Sequence, residues 1–367
     1  MTSRLPLLIT LIFLHPAFAD PPTFDSCQPG VNDYLEPSLK KENLFTNNKA
    51  LNTCLNDSAP GDFSTLASLL KRANEGLPVE CIVGALKKNI QPGGTLRYGF
   101  CGKSGQEKPT EVLPTCLGTQ PCYLPPPCVS PRYVSLVYNS FTQSMRCLGL
   151  NEKELFPVFG IESYYEMNIG NTGGDWGIAQ LSPPALLALD WKSKFASLSR
   201  RPECAQLKNA LSRPMSSKAT PCERIELPLN PSRSFIYGGT MYIINKSIAK
   251  TEIEKLKSRR KSPITSAQVE KLTVDLTRYM YNAGAGGVKQ AFLSFIEENQ
   301  NADLEITTLE DQFSEYLKNH YGEGLAYFKT HEDLQKKIRG TVPGYAKWVN
   351  GFAQHVSSAM GVECLNP

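Results

Sequence analysis

The sequence predicts a mainly α fold preceded by a Cys/Pro-rich accessory domain, and three observations carry that expectation. Apolar residues recur at helical spacing from about residue 129 onward, no alternating strand run or internal repeat is visible, and seven of the eleven cysteines lie before residue 129. At 367 residues the chain exceeds the roughly 100 to 200 residues usual for one domain. The expected division is residues 1–19 as a signal peptide, 20–128 as the accessory domain and 129–367 as the helical domain.

The first segment places Arg4 before the apolar run "LPLLITLIFL" and the small-residue end "AFA", the order of a secretory signal peptide. Cleavage is expected after Ala19, which makes the protein periplasmic or secreted. The apolar run falls short of the roughly 18 to 20 residues a spanning helix needs, so no stable membrane span is expected. Losing Arg4 lowers the formal charge from +4 to +3, too small and too dispersed to argue for a nucleic-acid partner. All eleven cysteines follow the cleavage site, where an oxidising compartment lets them pair, and the odd count leaves at least one free or bonded to another chain. The whole chain has four histidines, one of them in the signal peptide, so disulfides are favoured over zinc and neither metal nor cofactor is expected.

Residues 20–128 end in "LPTCLGTQPCYLPPPC", a loop-rich and cross-linkable composition, with one helix expected at "DFSTLASLLKRANEG". The helical part opens with "SPRYVSLVYNSFTQSMRCLGL", where Pro131 stands near the start as a helix tolerates. A second helix follows from Asn151, which with Glu154 has the spacing of a capping box, and Pro157 is expected to bend it. Its residues Leu155, Val158, Phe159 and Glu162 share one face at i, i+3, i+4 and i+7. The stretch from Ser182 to Phe235 is long, holds Cys204 and Cys222 and reads as a disulfide-closed insertion, although the sequence does not fix which cysteines pair. "SFIYGGTMYIINKSIAKTEIEKLK" reads as a helix or helix pair, and "TSAQVEKLTVDLTRYMYNAG" as a helix capped at Thr265 or Ser266. "VKQAFLSFIEE" and "YAKWVNGFAQHVSSAM" complete the amphipathic set.

A carboxyl group on an apolar helix face has its charged form disfavoured by desolvation, so Glu162 is expected to hold a proton near neutral pH. Such a group can donate that proton to a leaving oxygen, the general acid that glycosidic cleavage needs. Periodicity alone also accommodates a buried structural Glu in a hydrogen-bond network.

Three short stretches sharpen the choice. Glu162 with Ser163, "GIAQLSPPAL" from Gly177, and "MYNAGAGGV" from Met280 resemble, in order, the motifs of the soluble lytic transglycosylase family, whose relatives include goose-type lysozymes. The resemblance covers roughly residues 129 to 355 and departs from the usual motifs at Ile178, Ala179 and Met280. It implies a lysozyme-like fold with a groove for the peptidoglycan glycan strand, and cleavage of the β-1,4 bond between N-acetylmuramic acid and N-acetylglucosamine. It further implies Glu162 as acid and then base, Ser163 supporting the Glu or the sugar, and Gln180 lining the groove. Tyr281 and Asn282 would contact the sugar and the catalytic carboxyl, and Tyr345, in the loose echo "GTVPGYAKWV", would be a further groove residue. Each has a plainer alternative as a turn or core residue.

In such transglycosylases one Glu suffices, whereas a lysozyme-type hydrolase of this class takes a second carboxylate. Asp175, in "NTGGDWG", is the candidate for that role, with a turn Asp beside Gly173 and Gly174 as the alternative; Glu166 is weaker. De-N-acetylated strands would favour the hydrolase, and a wall-binding protein without turnover is the competing class.

Overall fold

A computed structural model describes residues 76–88, 90–91, 95–96, 131–166, 175–219, 223, 227–228, 230–260, 263–299, 304–321 and 344–365. The expected signal peptide, most of the helix expected at 62–76, the Gly-rich loop 167–174 and Cys222 lie outside the described residues. Within them the chain is mainly helical: α1 Val79–Lys88, α2 Pro131–Leu148, α3 Glu152–Ser163, α4 Pro183–Leu187, α5 Trp191–Leu198, α6 Lys208–Leu211, α7 Pro231–Arg259, α8 Ser266–Ala283, α9 Ala285–Glu298, α10 Leu309–Tyr321 and α11 Tyr345–Met360. A two-residue antiparallel pair, β1 Ile90–Gln91 with β2 Thr95–Leu96, follows α1.

The core is organised on α7, one continuous helix where the sequence allowed a pair. Asn230 caps it by accepting from the Arg233 N–H at 3.0 Å, and Pro231 occupies the first turn, where its missing N–H costs nothing. Every residue from Pro231 to Thr240 is buried, so this end is surrounded on all sides. Beyond it the buried positions thin to Tyr242, Asn245, Ala249, Ile253 and Leu256, the stripe of a helix with one solvent face. Helices α2 and α8 lie along α7, and α9 packs against both α8 and α7. Phe141 of α2, Phe159 of α3 and Phe235 of α7 meet edge to face with ring centres 5.2 to 6.1 Å apart, tying the three helices at one point.

Helix α3 begins at Asn151, whose side chain accepts from the Lys153 N–H at 2.9 Å. The expected capping box is not what Glu154 forms: its carboxylate takes Lys246 of α7 at 2.9 Å, and the same ammonium reaches Glu270 of α8 at 2.8 Å. A tertiary ion pair thus wins over a local cap. A reciprocal capping box does form at Thr265 and Gln268, where α8 was expected to start. Helix α10 was not expected; Phe313 fastens it by packing on Tyr279, Phe292 and Phe295.

Two cysteine pairings alter the expected organisation. Cys204 bonds Cys147 of α2, so the insertion is pinned to the core and is not closed on Cys222. Cys81 of α1 bonds Cys364, just past α11. Residues 77 to 86, assigned to the accessory domain, contribute Leu77, Val79, Ile82, Val83 and Leu86 to the same apolar core as α2, α3 and α11. A boundary at residue 128 therefore separates neither this helix nor its disulfide from the helical unit.

Candidate active site

Glu162 stands in the last turn of α3, half-buried, with the Tyr345 hydroxyl donating to its Oε1 at 2.5 Å. Burial is the largest influence on the carboxyl and drives its pKa up; the Tyr345 hydrogen bond opposes this, and the Asp175 charge adds to it. The result lies at about 7, against an ordinary value of 4.5. A group so placed exchanges its proton at neutral pH, which suits it to act first as acid and then as base.

The contact between Glu162 and Tyr345 spans 183 residues of sequence and depends on how α11 approaches α3. Gly160 sets that approach: a Cβ there would stand 2.2 Å from Phe352 Cε1, two helical turns beyond Tyr345 on α11. The start of α11 is held separately, because the Gly344 N–H donates to the Tyr279 hydroxyl at 3.0 Å and that hydroxyl donates to Glu310 at 2.7 Å. Packing at one level and a hydrogen-bonded relay at another thus aim one phenol at one carboxyl.

A tight turn forms the second wall. Trp176 and Leu181 pair as an isolated antiparallel bridge around Gly177 to Gln180. Gly177 has φ +73, and a Cβ would lie 2.0 Å from the Pro228 carbonyl oxygen, so both conformation and space demand glycine. The turn is fastened by Ser234 of α7, which accepts from the Ala179 N–H at 2.9 Å, and by Tyr281, which donates to the Ala179 carbonyl at 2.8 Å. Burial and the nearby Glu162 charge both push the Tyr281 phenol well above its ordinary pKa. Among the described residues the non-glycine positions with positive φ are Tyr164, Tyr165 and Gln180, the first two directly after the Glu162–Ser163 pair and the third in this turn. Bulky side chains in that region cost energy, and such positions cluster where function fixes the backbone.

The expected site residues therefore divide. Glu162, Asp175, Tyr281 and Tyr345 act on one another electrostatically or by hydrogen bond. Tyr345 does so as a buried partner of the carboxyl, 2 % exposed, and not as an open groove wall. Ser163 is fully buried; its hydroxyl donates to the Phe159 carbonyl and accepts from the Tyr165 N–H. Of its two expected roles, burial leaves support of Glu162 through the helix end and removes contact with a sugar. Gln180 folds back to donate to the Gly177 carbonyl at 2.7 Å. Asn282 Oδ1 is shielded from solvent with no hydrogen-bond partner among the described residues. Glu166 is fully buried. Gly160, Tyr279 and Glu310 were not singled out from sequence, although a lone glycine inside a helical pattern is the usual sign of close approach.

Comparison of the chain with protein-family models, with curated proteins and with solved structures finds no match.

Proposed function

We propose that the protein cleaves the β-1,4 bond between N-acetylmuramic acid and N-acetylglucosamine in peptidoglycan, as a lytic transglycosylase of lysozyme-like fold. The observation that carries this is the Glu162 carboxyl, poised at about 7 beneath a tyrosine hydroxyl and bordered by strained backbone. Glu162 protonates the leaving glycosidic oxygen. It then takes the proton of the substrate's C6 hydroxyl, whose oxygen closes a 1,6-anhydro ring. Asn282 Oδ1 accepts from a sugar hydroxyl or amide. The resemblance of three ordered motifs supports the same reading, and the disulfides and lack of a membrane-spanning helix among the described residues are compatible with work outside the cytoplasm.

A second reading has its own observation. Asp175 lies close enough to raise the Glu162 pKa, so a water activated by Asp175, or direct attack by it, would make the enzyme a hydrolase. Mass spectrometry of muropeptides released from purified peptidoglycan by the mature protein, beside Glu162→Gln, decides between them. Products lighter by one water, about 18 Da, identify the anhydro route, and reducing ends identify hydrolysis. Binding with no release at all, equal in both proteins, would instead make this a wall-binding protein.

A further inference from the structure

Three tryptophans occur in the chain, and they differ sharply in environment: Trp176 is 6 % exposed, Trp191 1 % and Trp348 59 %. An indole so exposed gives up a large apolar surface to water, and among the described residues only Ile243, at 38 %, joins it as an exposed large hydrophobic.

The position of Trp348 is fixed by its helix. At about 100° per residue, Trp348 lies about 60° from Tyr345 around α11, on the same side as Phe352. Phe352 meets Gly160 and the Tyr164 ring of α3, with Phe352 and Tyr164 centres 5.9 Å apart. Asn350 points the other way, accepting from Arg278 of α8 at 2.8 Å. Trp348 is therefore on the α3 flank of α11, one turn along from the phenol that touches Glu162. Its neighbours on the helix surface complete the picture. The residues four before and three after it are Gly344 and Gly351; a Cβ on Gly351 would meet nothing within 4 Å, and one on Gly344 only Ser314 Oγ at 3.7 Å. Neither neighbour has a side chain to lie over the indole.

We propose that Trp348 is a sugar-stacking platform: the indole face takes the apolar face of a hexopyranose ring in the strand whose adjoining bond lies at Glu162. This rests on the glycan-cleaving reading above and adds a subsite to it. The chemistry fits that ligand class. A pyranose presents several polarised C–H bonds on one face, which the negative face of an aromatic ring attracts, while its hydroxyls stay in water. A flat, uncharged ring needs a flat, uncovered partner, and the two glycines leave one.

The test uses the full mature protein, peptide-free glycan strands prepared from peptidoglycan, and tryptophan emission. Titrating the strands into Glu162→Gln, which binds without turnover, is expected to shift the emission to the blue and saturate. In Glu162→Gln/Trp348→Phe the shift is expected to shrink to whatever Trp176, in the turn of the second wall, and the buried Trp191 contribute, while affinity in that variant stays within about threefold. Trp348→Ala is expected to weaken strand binding about tenfold, measured by calorimetry, with the circular dichroism spectrum unchanged. Cleavage and binding that proceed normally in Trp348→Ala, with no emission change when strands are titrated into Glu162→Gln, would overturn the platform and leave the glycan-cleaving reading standing. No binding and no release by the wild type would overturn both.

Discussion

Replacing Glu162 with Gln should stabilise the protein, by an amount that grows from pH 4.5 upward and is complete above neutral pH. In the folded chain the carboxyl titrates at about 7, against 4.5 for the ordinary group, a difference of about 2.5 units or about 3 kcal/mol. Below pH 4.5 both folded and unfolded states hold the proton, and the wild type carries no penalty. Between 4.5 and 7 the unfolded chain releases its proton first, so wild-type stability falls as pH rises. Above 7 the full penalty of a buried carboxylate is present. Gln has no proton to lose, and its Oε1 can still accept from Tyr345, so the variant escapes the penalty without orphaning the phenol.

Guanidinium titrations of both proteins at pH 4 and pH 8 measure the effect. The stability difference should be near zero at pH 4 and approach about 3 kcal/mol in favour of the variant at pH 8, with an upward shift in Tm of up to about 10 °C. Activity should move the opposite way and fall by about 100-fold or more at every pH, since the general acid is gone. A stability difference that is constant from pH 4 to pH 8 would refute the reasoning, because it would mean that the carboxyl titrates alike in both states.

Three other substitutions probe the same geometry, and a fourth perturbation tests the disulfide that ties α1 to the end of the chain. Tyr345→Phe removes the hydrogen bond that favours the carboxylate, so the basic limb of the kcat/KM profile should move above pH 7; Asp175→Asn removes a repelling charge, so the limb should move below it. Shifts in the same direction for the two variants would contradict the assignment. Gly160→Ala should cost about 2 to 3 kcal/mol in a denaturant titration, since its Cβ would overlap the Phe352 ring, and should also carry the limb upward as α11 draws Tyr345 away. Paired Cys81→Ser and Cys364→Ser should lower stability by about 2 to 4 kcal/mol, and an unchanged midpoint would mean that α1 does not depend on that bond.

The helical character, α8 with its cap at Thr265, and α11 over Tyr345–Met360 were legible because each rests on spacing within one segment. The same local signals misled where a distant partner competed for a side chain. Glu154 stands three residues after Asn151 but is drawn to Lys246, 92 residues away. Cys204 has Cys222 near it in sequence but Cys147 near it in space. Helix α1 lies between cysteine-rich stretches, and composition alone could not show that Val79, Ile82 and Leu86 face the helices that follow. In the site, Glu162 could be reached from its helix face, but Tyr279, Glu310 and Gly160 act through contacts that no periodicity encodes.

Burial raises the Glu162 pKa to about 7, and the number of hydroxyls bonded to the carboxyl limits how far that rise is opposed. Two phenols stand near the carboxyl, and both are buried enough to stay neutral. Each hydrogen bond donated to a carboxylate lowers its pKa, so a second phenol aimed at Glu162 would oppose the effect of burial further. The structure spends the Tyr281 hydroxyl elsewhere, on the Ala179 carbonyl of the Gly177 turn, and leaves Tyr345 as the hydroxyl that bonds the carboxyl. One donor offsets part of the desolvation, and the Asp175 charge returns part of what that donor removes. The turn that Tyr281 fastens is thus coupled to the acidity of Glu162. If the turn loosened and freed that phenol to swing toward the carboxyl, the pKa would fall and the proton would be lost.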